Sequence, residues 1–326
     1  MRKLALAACL ASALCANSGL AATGTWEDRT FATATAGPGV SVVGADARTD
    51  AAGTGGTLTS APIVAPPEFT GWSQLRVRQT DSLNYYRAIG LENAWGSLVT
   101  WGGGALTTAE KRTGSYGFAV ADDGGWHRID TPIISYFHAP VDRDYKATVY
   151  ARDDYAGYNY TSFTAGFGYS ALGNNDGTWQ KLSQSGYKTG DTLTQLWGVD
   201  WTAGNGSNAY FDEPRFYEAL ITYDVLDGAG NPIPGWTDLE PLEVHANRNG
   251  RQTVDAVLDL SALPASYTQI QIRANFDKAA AGSPNPVLHQ WAVDFAFDPA
   301  ADATAPDGSS PATPMATIYR AASACA

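Results

Sequence analysis

Short stretches with period-two alternation recur along the chain. In Lys146-Ala147-Thr148-Val149-Tyr150-Ala151-Arg152, the residues Ala147, Val149 and Ala151 fall on one side of an extended strand. In Gln269-Ile270-Gln271-Ile272-Arg273, Ile270 and Ile272 do the same, and Gln74-Leu75-Arg76-Val77-Arg78 is a third such run. Turn-forming clusters separate the runs, among them Asp123-Gly124-Gly125, Gly173-Asn174-Asn175-Asp176-Gly177, Gly204-Asn205-Gly206 and Asp227-Gly228. Beyond the N-terminal segment no stretch sustains a 3.6-residue period. The pattern predicts an all-β protein made of β-sandwich or jelly-roll domains.

The exception lies at the start. Arg2 and Lys3 precede an apolar run from Leu4 to Leu14, and small residues follow up to Ala21-Ala22. This is the layout of a secretory signal peptide over 1–22, cleaved after Ala21 or Ala22. Leu6-Ala7-Ala8-Cys9 also resembles a lipobox, but few apolar residues precede Cys9. Cleavage would remove Cys9 and Cys15 and leave Cys325 alone, so the exported chain would hold no internal disulfide and no thiolate zinc site. It would also leave 19 basic residues against 33 acidic ones. That balance argues against nucleic acid as a partner and against docking on anionic lipid. The expected location is secreted, extracellular or periplasmic, with no membrane insertion.

Composition then divides the chain. Six of the ten Trp and 13 of the 16 Tyr lie within 83–218, while the flanks are rich in Ala, Val, Leu, Thr and Pro. The flanking segments include Ser60-Ala61-Pro62-Ile63, Trp72-Ser73-Gln74-Leu75, Val225-Leu226-Asp227 and Pro286-Val287-Leu288. Together they resemble one β-sandwich module of prokaryotic secreted and cell-surface proteins, in which the corresponding strands follow closely. Here about 140 residues intervene. The expected organisation is a discontinuous host sandwich, 24–82 plus 219–298, with 83–218 inserted. Two tandem domains, about 24–80 and 83–298, are the alternative. From 299 to 326 Ala, Asp, Thr, Pro and Ser dominate, the composition of a disordered tail or linker.

The insert runs from Gly90-Leu91-Glu92-Asn93-Ala94-Trp95 through Thr113-Gly114-Ser115-Tyr116-Gly117-Phe118 to Ala209-Tyr210-Phe211-Asp212-Glu213-Pro214-Arg215-Phe216. This order is similar to galactose-binding-like jelly rolls, the fold of many carbohydrate-binding modules. The resemblance implies a structural Ca²⁺ tying the first strand to the last, with Glu92 and Asp212 at the carboxylate positions. Without a metal, Glu92 would pair with Arg112 or Arg215, and Asp212 would cap a turn. Pro214 lacks an N–H, so its strand is expected at an edge or bulged.

Sugar rings stack their C–H faces on aromatic side chains, and their hydroxyls need polar partners. Asp154, Tyr155, Tyr158 and Tyr160 offer both in one stretch, where Gly157 and the acidic residues argue for exposure. Trp179, Trp197 and Trp201 are further candidates, although most aromatics in a jelly roll of this size are packed in its core. No catalytic residue stands out. His127, His138, His245 and His289 lie at no metal-ligand spacing, and His289 is expected to pack beside Trp291.

These observations predict a non-catalytic carbohydrate-binding or cell-surface adhesion protein. Its expected partners are poly- or oligosaccharide and other surface proteins. One alternative is a jelly-roll glycoside hydrolase drawing carboxylates from Asp153, Asp154, Asp200, Asp212 and Glu213, or a polysaccharide lyase using Tyr136, His138 and Arg143. A purely structural spacer is the other.

Overall fold

The computed structural model describes residues 22–82, 84, 99–101, 104–122, 127–132, 140–153, 159–163, 169–171, 177–188, 194–199, 207–244 and 250–298. The chain is all-β, and no helix occurs among the described residues. It opens with β1 (Ala22–Asp28), β2 (Thr35–Ala36), β3 (Val40–Val43), β4 (Asp46–Thr49), β5 (Gly55–Thr59), β6 (Ile63–Val64) and the long β7 (Phe69–Asp81). Next come β8 (Val99–Trp101), β9 (Ala105–Thr107), β10 (Gly117–Asp122), β11 (His127–Pro132) and β12 (Arg143–Asp153). They are followed by β13 (Asn159–Phe163), β14 (Tyr169–Ala171), β15 (Gln180–Lys188), β16 (Thr194–Val199) and β17 (Ser207–Tyr217). The last group is β18 (Ala219–Asp227), β19 (Leu242–Glu243), β20 (Gln252–Asp259), β21 (Gln269–Lys278) and β22 (Val287–Phe297).

Four sheets result. Sheet 1 has the order β19-β20-β7-β22-β4-β3, with β1 also on β22, and sheet 2 has the order β18-β21-β5-β2, with β6 on β21. Sheet 3 is β15-β12-β17-β10-β9 and sheet 4 is β14-β13-β16-β11-β8. Among the described residues, sheets 1 and 2 therefore draw only on strands before Ser82 and after Glu218, and sheets 3 and 4 only on strands between them.

Sheets 1 and 2 enclose one apolar core. Trp72, Leu75 and Val77 of β7 and Trp291, Val293 and Phe295 of β22 meet Ile221, Tyr223 and Val225 of β18 and Ile270, Ile272, Ala274 and Phe276 of β21. Strict alternation along β21 produces this directly, because every second residue is buried. In sheets 3 and 4, strands β10, β12, β15 and β17 lie against β13, β14 and β16. Tyr145, Ala147, Val149 and Ala151 of β12, with Phe118, Leu182, Phe211 and Phe216, are buried on sheet 3.

Pro214 is accommodated by a bulge rather than an edge. Strand β17 is central in sheet 3, between β12 and β10. Thr148 pairs with Arg215 and Tyr150 with Asp212, so Glu213 and Pro214 together oppose one residue of β12. Glu213 takes a positive φ of 49° there.

The two connections between the sheet pairs are joined by Ser82. Its hydroxyl donates to Ala219 O (2.6 Å) and accepts from the amides of Glu218 (2.9 Å) and Ala219 (2.7 Å), and its own amide donates to Ala219 O. Asn84 extends the joint, accepting from the Phe216 amide and donating to Glu240. Ser82 and Glu218 are both buried, so these polar groups have no water to fall back on. Ser82→Ala leaves two buried amides without their acceptor, and a loss of about 2–4 kcal/mol is expected. Urea unfolding of the variant against the parent chain measures it.

Candidate functional site

The inner positions of β12 (Tyr145, Ala147, Val149, Ala151) alternate with Lys146, Thr148, Tyr150 and Arg152 on the opposite face of sheet 3. That face is occupied by the rest of the chain. Asp238, from the segment after β18, is its centre. One of its oxygens takes Arg215 Nη1 at 2.7 Å, Lys181 Nζ at 2.8 Å and the Tyr150 hydroxyl at 2.7 Å. The other accepts from Thr222 Oγ1 at 2.6 Å, and the Asp238 carbonyl accepts from Arg215 Nη2. The Asp238 amide donates to Asp224, which in turn pairs with Arg273. Asp277 at the end of β21 receives Lys146 Nζ (2.7 Å) and the Tyr217 hydroxyl (2.8 Å).

Arg215 is 2% exposed. Burial works against its charge, but Asp238, Glu213 and Glu240 overcome that and hold it firmly protonated. For Asp238, burial would raise the carboxyl; Arg215 and Lys181 outweigh it and keep the group well below the usual carboxylate range. Removing one side of such a pair leaves an uncompensated buried charge. Asp238→Asn, which tolerates the positive φ of 53° at this position, should cost about 3–5 kcal/mol in urea unfolding.

Asp212 is buried and bonded within sheet 3. Its Oδ2 accepts from the amides of Arg112 (2.6 Å) and Thr113 (3.1 Å), and its Oδ1 from the amide of Glu213 (2.7 Å). The β9–β10 connection is thereby fastened to β17, with Arg112 3.8 Å over the Tyr150 ring and paired with Glu213. Calcium takes hard oxygen ligands, whereas the groups bonded to this carboxylate are N–H donors. Glu92 lies outside the described residues. Among the described residues no group of three or more His, Cys, Asp or Glu could hold a metal. The amides and Arg112 also take up Asp212 and Glu213 as hydrolase carboxylates, and Arg143 pairs with Glu218.

Burial pushes the Asp212 carboxyl up to about 7, against the pull of the three amides. A raised folded-state value means that its contribution to stability is full below the ordinary value of 3.8 and is lost as pH rises through 7. Stability of the parent chain should therefore fall between about pH 4 and pH 7 relative to Asp212→Asn. Melting curves of both proteins across that range check the sign.

The aromatic candidates divide. Asp154, Tyr155, Tyr158 and Trp201 lie outside the described residues. Trp179 is half-buried just ahead of β15. Tyr160 and Trp197 are brought onto neighbouring strands of sheet 4, but in different rows: Tyr160 pairs with Gly198, and Trp197 with Thr161. Residues directly opposite share a face, and adjacent rows alternate. One face thus holds the row Trp101, Arg128, Gly198, Tyr160, Ala171 and, two steps on, Val99, Asp130, Leu196, Ser162, Tyr169. The other holds Thr100, Ile129, Trp197, Thr161 and Ser170, with Val199 and Phe163 in its flanking rows. Tyr160 and Trp197 therefore lie on opposite faces of sheet 4, with Arg128 and Asp130 on the face of Tyr160.

The strand ends that flank the other candidates converge. Val199 pairs with both Asn159 and His127, while Asp153 pairs with Ala209 and Asp122 with Ser207. The row with Tyr160 is one step from that end. Trp101, Arg128 and Asp130 share the face of Tyr160, and the alternation of Arg128 and Asp130 with His127, Ile129 and Thr131 is its trace in the sequence.

No protein-family model matches the chain, and no curated protein matches it in sequence. Solved structures of similar shape include the CBM22-1 xylan-binding domain from Paenibacillus barcinonensis, at 14% identity over 37% of this chain and 84% of that one, with a TM-score of 0.30. Another is the cleaved adhesin domain K1 of Lys-gingipain from Porphyromonas gingivalis, at 13% identity over 42% of this chain and 96% of that one, TM-score 0.28. A third is a Clostridium thermocellum xylanase with CBM22-1 and GH10 modules, at 12% identity over 42% of this chain, TM-score 0.31; the chain spans 28% of its length. At these scores the likeness carries no argument, and the all-β assignment rests on the strand pairings above.

Proposed function

We propose that the chain is a secreted carbohydrate-binding or cell-surface adhesion protein whose glycan-binding face is on sheet 4. In this reading 83–218 is a jelly roll inserted in a host sandwich of 24–82 and 219–298, in keeping with the way the four sheets divide. The observation that carries the site is the cross-strand row Trp101–Arg128–Gly198–Tyr160. Its two aromatic positions, Trp101 and Tyr160, are separated by Arg128 and Gly198, with Asp130 and Ser162 on the same face. A saccharide needs flat aromatic surface for its C–H faces and polar groups for its hydroxyls. The opposite side of the unit is unsuited, because Asp238 and its partners cover the outer face of sheet 3. Asp154, Tyr155, Tyr158 and Trp201 are further candidate ligand residues in this reading.

Affinity electrophoresis against a panel of neutral and acidic polysaccharides, xylan included, tests this reading. Tyr160→Ala and Trp101→Ala should each weaken binding at least about tenfold while leaving the melting temperature nearly unchanged, since a stacking contact is worth about 1–2 kcal/mol. Trp197→Ala, on the opposite face of sheet 4, should leave binding unchanged. Absence of binding to every glycan at millimolar concentration would sink the proposal and leave the spacer role. For the calcium that the resemblance implies at Glu92 and Asp212, the reading assigns Asp212 to the turn clamp. EDTA should leave the melting temperature unchanged; a fall restored by calcium would place the ion there after all.

A further inference from the structure

The outer face of sheet 1 carries a second constellation. His289 was expected beside Trp291, and a regular strand would put the two on one face. The register shifts there: Leu288 pairs with Gln79 and Gln290 with Arg78, so His289 is the extra residue of a bulge. The bulge sends Trp291 into the core, fully buried, and leaves His289 28% exposed on the opposite face. Bulges re-aim side chains in this way and are common beside active sites.

Aimed outward, His289 bridges three strands. Its Nδ1 is 2.7 Å from Asp46 Oδ1 on β4, and its Nε2 is 2.7 Å from Thr80 Oγ1 on β7. Thr80 Oγ1 is in turn 2.6 Å from Thr253 Oγ1 on β20. An ionised carboxylate only accepts, so Nδ1 carries the proton donated to Asp46 and Nε2 is left as the acceptor for the Thr80 hydroxyl. Nucleophile, base and orienting carboxylate are thus within hydrogen-bond reach of one another.

A groove of about 140 Å³ lies on the same face, lined by Arg76, Arg78, Val244, Asp255, Val257 and Gln290. Asp46, Thr80 and His289 do not line it themselves, and Thr80 is only 9% exposed; the groove lies beside them along the strands. Arg78 is two positions before Thr80 in β7, Asp255 two after Thr253 in β20, and Gln290 next to His289. Val244 and Val257 supply apolar surface, and the half-exposed Arg78, only 3.8 Å from Asp255 at closest, supplies positive charge.

We propose that Thr80, His289 and Asp46 form an acyl-transfer site that hydrolyses esters of short-chain carboxylic acids seated in this groove. The Thr80 hydroxyl oxygen bonds to the ester carbonyl carbon while its proton passes to His289 Nε2. The carbon–alkoxide bond then breaks, and the alcohol leaves with that proton. Water, deprotonated by His289, attacks the acyl-Thr80 carbonyl, releasing the acid and restoring the hydroxyl. Thr80 and His289 are the catalytic residues, and Asp46 is a positioning residue that holds the imidazole tautomer. The amides of β7 around Thr80 are spent in the ladder, so they offer no oxyanion hole and the turnover is slow.

The test uses the full mature chain with p-nitrophenyl acetate. Thr80→Val, nearly isosteric, and His289→Ala should each lower kcat/KM about 100-fold or more, with melting temperatures showing that both variants fold. Rapid acid quenching of the parent protein should yield a Thr80-containing peptide heavier by one acetyl group, about 42 Da, absent from Thr80→Val. Asp46→Asn should lower kcat and alter the pH dependence of the rate while KM stays within about twofold. A Thr80→Val protein as active as the parent, or a parent rate no greater than that of free imidazole at equal concentration, would overturn the proposal. Neither result bears on glycan binding at sheet 4.

Discussion

A buried ion pair between Arg215 and Asp238 sets the arrangement of this protein. Arg215 comes from the central strand of sheet 3 and Asp238 from the segment that follows β18. Neither charge tolerates burial alone, so the outer face of sheet 3 is committed to the rest of the chain. Lys181, Tyr150 and Thr222 complete the shell around Asp238. Lys146 and Tyr217 repeat the device on Asp277. Ser82 adds a third tie, where the chain passes from one sheet pair to the other. The contact is directional and polar, unlike the apolar packing inside each pair.

That commitment has a functional consequence. A sandwich has two outer faces, and one of these is spent. The other, on sheet 4, is where Trp101, Arg128, Gly198 and Tyr160 share a row. On the first pair, the outer face of sheet 1 carries the bulge that turns His289 away from Trp291 and towards Asp46 and Thr80. A register shift of a single residue separates a packed core histidine from a hydrogen-bonded relay beside a groove. Glycan recognition and ester chemistry would thus sit on different sheets, each with its own residues.

Much of the architecture was legible in the alternation. Ile270 and Ile272 are core, and Ala147, Val149 and Ala151 share a buried face, as period two requires. Pro214 signalled a disrupted ladder, and the structure resolves it as a bulge within a central strand. The site was less legible. Tyr160 and Trp197 both look like sugar platforms as isolated residues, but the register puts them on alternate faces. Asp212 matched a position that is acidic in a resembling family. Its described partners are the amides of Arg112 and Thr113, about one hundred residues away, and no spacing argument names them. Thr80, Asp46 and His289 are scattered over the chain, as the parts of such constellations are in any fold.

Local alternation, turn chemistry and composition determined by themselves that the chain is all-β, which residues are apolar enough to be core, and where its aromatic residues concentrate. Those properties depend on neighbours a few positions apart, and period two is a property of the extended backbone alone. Tertiary structure decided which sheet face is buried against the rest of the chain, which residues share a row, and which way His289 turns. Each of these depends on strand register and on charge pairs closed over tens to hundreds of residues, and pairing across strands is not written in the order of residues along one of them.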